Sequence, residues 1–157
     1  MKATTTAALA AMVLCGAFTA TAAATPADGL PLMAAPAPAT EAVVTAALSK
    51  VGAPYAMGAA GPGAFDCSGL TMWALRRAGI AAPHSSFAQY AMGRSVERSQ
   101  IRRGDLVFFD SFGAGASHVG IATGPTTAVS ATDHGVMRHA IFDAYWGAHF
   151  IGARRVG

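Results

Sequence analysis

A chain of 157 residues carries 11 Lys and Arg against 8 Asp and Glu, a formal net charge of +3, and is 53% hydrophobic but only 12% charged. So small a positive balance does not mark a nucleic-acid-binding surface, although it does not oppose contact with an anionic polymer, and the length suits one ordinary domain with an enclosed core. Two cysteines and no later stretch of twenty uninterrupted apolar residues argue against a disulfide framework and against a membrane span.

In chain order, Lys2 opens a short positive region and Ala7 to Phe18 is an apolar run of small residues with Leu, Met and Val. Ala20-Thr21-Ala22 and Ala22-Ala23-Ala24 supply small-residue cleavage sites, so residues 1–24 are expected to be a secretory leader and the protein to be exported to the cell envelope or beyond. Cys15 follows Leu14 rather than the small residue that precedes a lipid-modified cysteine, which argues against a lipid anchor. Loss of the leader removes Lys2 and Cys15, lowers the charge to +2 and leaves Cys67 as the one thiol. No intramolecular disulfide is then possible, and the reading narrows to a buried, a pairing or a reactive thiol.

Residues 25–40, rich in Pro and Ala and without a period of 2 or 3.6, read as a linker. Residues 41–157 form the domain. Thr40 and Glu41 start a helix whose apolar face is Val43, Val44, Ala47 and Leu48, with Gly52 as its stop. A second helix runs from Asp66 or Cys67 to Ala78, placing Leu70, Trp73 and Ala74 on one side, and a third, shorter one spans about Ser86 to Met92. The texture then changes to short β-branched or aromatic runs, "DLVFF", "HVGIAT", "TTAVSAT", "GVMRHAI" and "FIGARRV", separated by Gly, Pro and Asp. Helices followed by a strand meander predict an α+β domain with an antiparallel sheet.

Within that frame Cys67 stands out. With Asp66 as the cap, the thiol lies in the first helical turn, where free N–H groups and the helix dipole favour the thiolate. Ser68 and Gly69 are expected to leave one side of it open. A nucleophilic thiol needs a base, and among five histidines His118 opens the strand "HVGIAT" beside the strand "DLVFF". The alternatives are a thiol packed as a small hydrophobe and histidines that are merely solvated or hydrogen-bonded. Asp133, His134 and His139 lack the spacing of a metal site, so no metal is expected. Trp73 and Trp146 read as core, and the Arg102-Arg103 and Arg154-Arg155 pairs as solvated faces.

The segments "VGAPYAMGAAGPGAFDCSGLTMWALRRAGIAAPHSSFAQYAMGRSV", "RRGDLVFFDSFGAGASHVGIATG" and "YWGAHFIGARRV" closely resemble the NlpC/P60 family of papain-like cell-wall cysteine peptidases, over about residues 42–157. The resemblance implies helices packed on a central antiparallel sheet. It also implies cleavage of peptidoglycan stem peptides, commonly between D-glutamate and a diamino acid, with no metal or other cofactor and by a monomer. By position, Cys67 becomes the nucleophile and His118 the base. Tyr55 stands beside the thiol for substrate or oxyanion, Asp66 and Ser68 meet a free amine of the stem peptide, and Ser85 and Gln89 line the cleft.

One position departs from the family pattern. Where the family carries His, Asn, Gln or Glu to orient the base, this sequence has Ser130, a shorter and neutral partner that stabilises an imidazolium less than a carboxylate does. Asp133 or His134 are alternatives for that role, set against an ordinary β-turn reading beside Gly135. Met57 and Ala59-Ala60 replace a tryptophan and a glycine, which bears on cleft shape. Two other functions stay open at this point: a weakly active or inactive wall-binding domain, and a thiol amidase effector acting on another substrate.

Overall fold

Apolar residues spaced three and four apart make α1 (Ala39–Leu48) one-sided: Val43, Val44 and Ala47 are buried, and Ala46 and Leu48 pack partly against the same core. The computed structural model describes residues 38–157, so the expected leader and all but the end of the expected linker lie outside the described residues. Pro38 precedes α1, where its fixed φ and missing N–H cost nothing, and the helix begins one residue ahead of Thr40. Next come α2 (Cys67–Arg77) and α3 (Ser86–Tyr90).

The remaining chain builds one antiparallel sheet from β1 (Arg94–Val96), β2 (Leu106–Phe109), β3 (His118–Ala122), β4 (Thr127–Thr132), β5 (Gly135–Ala140) and β6 (Phe150–Arg155), in the order β1-β6-β2-β3-β4-β5. This is the α+β architecture expected from the sequence. The period of two sorts the side chains. Leu106 and Phe108 of β2, Val119 and Ile121 of β3, and Val129 and Ala131 of β4 join one core with Val43, Val44, Leu70 and Trp73 of α1 and α2. The alternate positions, Val107, Phe109, Ala122 and Ala128, join a second core with Ile141 and Trp146 on the other face. Every residue of β2 and β3 is therefore buried.

Three short elements went unforeseen, among them a 3-10 turn at Arg98–Gln100. β1 is three residues long, too short to show a period, and α4 (Trp146–His149) is a single turn whose tryptophan closes the second core. Of the arginines expected to form solvated faces, Arg102 is exposed, whereas Arg103 and Arg155 make ion pairs. Arg103 donates from Nε and Nη2 to Glu41 at 2.9 and 2.8 Å, tying α1 to the turn before β2. Arg155 donates from Nε and Nη2 to the two oxygens of Asp105 at 2.6 and 2.7 Å, and Asp105 also accepts the N–H of Arg102 at 2.9 Å.

The Asp105 side chain is 1% exposed, so this forked pair fastens β6 to the start of β2 from the inside. Removing one partner leaves the other charge buried and unpaired. Asp105→Asn is expected to lower unfolding stability by about 3 kcal/mol, read from urea denaturation midpoints; a loss below about 1 kcal/mol would show that solvent reaches the pair.

Candidate active site

The start of α2 is set by a single carboxylate. Asp66, with extended backbone, accepts the Gly69 N–H on Oδ1 at 2.6 Å, as an N-cap does, and the Gly58 N–H on Oδ2 at 2.8 Å. Ser68 Oγ donates to Oδ1 at 3.2 Å, and His84 Nε2 lies 2.8 and 2.9 Å from the two oxygens. One turn, one helix end and the loop before α3 thus converge on a side chain that is nearly out of water. Gly69 makes the convergence possible: a Cβ there would stand 2.1 Å from the carbonyl oxygen of Ala59. The space beside Gly69 is filled by backbone, so the open side of the thiol is the one that Ser68 shares with the cleft.

That cleft, about 460 Å³, is bounded by Tyr55, Asp66, Cys67, Ser68, His84, Ser85 and Phe112. Of the residues expected to line it, Tyr55, Asp66, Ser68 and Ser85 do. Ser85 also caps α3, accepting the Ala88 N–H at 3.3 Å. Gln89 does not. It is fully buried, donates from Nε2 to the carbonyls of Ser68 and Pro83 at 3.0 and 2.7 Å, and accepts from Thr71 Oγ1 at 2.6 Å. All its polar capacity goes to bracing the 83–85 loop against α2, so it shapes the cleft from behind.

Cys67 is half-buried, and burial pushes its thiol up; the backbone N–H groups of Val119, Ser68 and Cys67 itself pull down, while the Asp66 charge adds to the rise. The net direction is upward. Desolvation outweighs the helix end here, so the thiol rests protonated rather than as the thiolate expected from its position. Tyr55 is shifted upward too, by burial first and then by the charges of Cys67, Asp66 and Asp133.

The Val119 N–H that reaches the sulfur belongs to the residue after His118. His118 opens β3, opposite Phe109 of β2, and is fully buried. Its ring lies against Phe112 and Trp146, with centroids 5.2 Å away in each case, and against Phe109 at 6.0 Å. Neither ring nitrogen has a hydrogen-bond partner among the described residues, so no bond joins it to Cys67 or to Ser130. Burial, and then the neighbouring His139, push His118 down to about 3. The imidazole is neutral, dry and uncommitted.

Ser130 is engaged elsewhere, with His139 Nε2 at 2.9 Å. His139 Nδ1 faces the carbonyl of Ala140 at 2.9 Å, which only an N–H can satisfy, so in the neutral ring Nε2 accepts and the Ser130 hydroxyl donates to it. The expected Ser130–His118 bond is replaced by this one because His139 sits next to Ala128 on the same sheet face, directly within reach of Ser130. His139 was not singled out for the site; its alternation in "GVMRHAI" placed it on a strand face, but not beside a particular strand. Asp133 and His134 pair with each other at 2.7 Å in the exposed β4–β5 turn, which agrees with the turn reading.

A model of the NlpC/P60 family matches residues 52–155. The probable endopeptidase p60 of Listeria monocytogenes is 42% identical over 114 residues, covering 73% of this chain and 23% of that protein. A probable endopeptidase of Corynebacterium glutamicum is 48% identical over 115 residues, 73% of this chain and 49% of that one. The chain therefore spans about a quarter to a half of the length of these curated relatives. Among solved structures, a Staphylococcus aureus protein described as similar to lipoprotein, NLP/P60 family, superposes with a TM-score of 0.69 at 34% identity, over 75% of this chain and 41% of that one.

The depressed pKa of His118 couples to stability with a definite sign. Between its ordinary value of 6.5 and about 3, the unfolded chain binds a proton at this residue that the folded chain does not, so stability falls as pH drops through that window and is unaffected above it. His118→Phe is expected to flatten that part of the pH dependence, measured by urea denaturation at a series of pH values; identical slopes for both proteins would contradict it. Gln89→Ala is expected to cost about 2–3 kcal/mol in the same assay through its lost bonds and volume; a change confined to substrate affinity would instead return Gln89 to the cleft.

Proposed function

The chain belongs to the NlpC/P60 family, and from that premise we propose that it is an exported cysteine endopeptidase that hydrolyses amide bonds in peptidoglycan stem peptides, at the D-γ-glutamyl bond to a diamino acid. Its closest support in the fold is one juxtaposition: a thiol at the start of α2, facing an open cleft and touched by the N–H that follows a buried histidine with two free nitrogens. The relatives' description as probable endopeptidases supports the reaction class, and the leader expected over residues 1–24 supports action outside the cytoplasm.

In this reading Cys67 is the nucleophile and His118 the general base. A protonated thiol and a neutral imidazole form a competent resting pair, since the imidazole has a lone pair to accept the proton as Sγ attacks the carbonyl. The tetrahedral oxyanion is held by N–H groups at the start of α2, assisted by the Tyr55 hydroxyl. Collapse breaks the C–N bond, and the imidazolium gives its proton to the departing amine. Water, deprotonated by the same imidazole, then attacks the thioester and releases the thiol and a carboxylic acid. Asp66, Ser68 and Ser85 line the half of the cleft that takes the acyl side, with His84 Nε2 at hydrogen-bond distance from Asp66.

A second reading has its own observation. Ser130 serves His139 and leaves His118 without an orienting partner among the described residues, which suits a weakly active domain that binds wall peptides more than it cuts them. The two separate on incubating the mature protein with defined stem peptides and following fragments by mass spectrometry. Under the peptidase reading, fragments form, Cys67→Ala abolishes them, and His118→Ala slows them by at least about a hundredfold. Full cleavage by Cys67→Ala would end that reading, and binding without fragments would favour the second.

A further inference from the structure

A second pocket, about 290 Å³, opens beside the thiol cleft, walled by Phe112, Met137, Tyr145 and Trp146 and floored by Thr132, Asp133 and His134. Phe112 is the one residue that lines both spaces. Its ring and that of Trp146 each lie 5.2 Å from the ring of His118, so the partnerless imidazole sits directly behind the wall between the two pockets. This placement bears on how a substrate crosses the site. A base that takes the thiol proton and later hands it to the leaving amine must stand at the scissile bond. With the acyl half held beside Tyr55, Asp66 and Ser68, the amine half continues past Phe112, and the second pocket is the space it enters.

The lining states what that half should carry. Met137, Trp146 and Phe112 offer apolar surface for an aliphatic stem. Thr132 Oγ1 is already committed, donating to the Gly135 carbonyl at 3.2 Å and accepting the His134 N–H at 3.2 Å. The Asp133 carboxylate is bonded through Oδ1 to His134 Nδ1 at 2.7 Å, and its Oδ2 has no protein partner among the described residues. It is the sole carboxylate of the pocket among the described residues, and its charge reaches Tyr55 across the cleft. We propose that this pocket is the leaving-side subsite, in which Asp133 receives the side-chain ammonium of the diamino residue while Phe112 separates the two halves of the substrate. The assignment rests on the peptidase reading above, and it makes Asp133 a specificity residue rather than a substitute orienting group for His118.

The test compares two γ-D-glutamyl-lysine stem peptides, one with a free side-chain amine and one with that amine acetylated, as substrates for the wild-type protein, Asp133→Asn and Asp133→Lys. Wild type is expected to favour the free amine in kcat/KM by about three- to fivefold, the scale of a partly exposed ion pair, mainly through KM. Asp133→Asn should bring the ratio near one with little change toward the acetylated peptide, and Asp133→Lys should invert it. Equal use of both peptides by wild type, or a preference that survives in Asp133→Asn, overturns the proposal. If wild type cuts neither peptide, the peptidase reading is what fails, and the pocket is then judged by calorimetric binding of the same peptides to Cys67→Ala with and without Asp133→Asn. Selective loss of the free-amine peptide in the double variant upholds the pocket assignment; equal affinities overturn it.

Discussion

The cleft depends on the Asp66 carboxylate being shared. It caps α2 through Gly69, closes the turn at Gly58, and meets His84 from the loop before α3, so three separate segments are locked around the residue that precedes the thiol. A cap alone is worth about 1 kcal/mol. Here the same oxygens also fix where Cys67 emerges and which side of it is open, because the Gly69 position lets the Ala59 carbonyl press against the helix. Gln89 completes the brace from the interior, bonding both Ser68 and Pro83. Position of the sulfur is therefore a property of a buried polar network, in which each member satisfies the others.

Electrostatics of the pair run opposite to an ion-pair resting state. Burial raises the thiol and lowers the imidazole, and both shifts have one origin, the removal of water from either charged form. Aromatic rings enforce this around His118, with Phe109, Phe112 and Trp146 on its faces and edges. In the proposed mechanism the proton passes from sulfur to nitrogen only once substrate is bound. The N–H of Val119 links the two residues through the backbone of β3, so the strand that carries His118 also reaches the Cys67 sulfur.

The sheet supplies the frame for this arrangement. β2 and β3 are buried on both faces, which removes slack at the centre where His118 begins its strand. The Asp105–Arg155 fork holds β6 to β2 on one side, and the six-residue pairing of β4 with β5 holds the other, carrying Ser130 and His139 opposite their neighbours. The short turn of that hairpin presents Asp133 and His134 to solvent next to the second pocket.

Much of this was legible in the chain. Apolar spacing with start and stop residues located three helices, short β-branched or aromatic runs between turn residues located five strands, and Asp66 before Cys67 announced both the cap and the thiol in the first turn. β1 and α4 are too short to leave such a signal. Which strand lies beside which is a matter of pairing across the sheet, so nothing local tells Ser130 that its partner is His139 rather than His118, or tells Gln89 that it is interior rather than in the cleft. The direction of the Cys67 shift is decided in the same way. A helix end is a local feature that the sequence determines, whereas the depth of desolvation around the sulfur depends on segments brought together by tertiary packing, and at close range the loss of water outweighs the dipole.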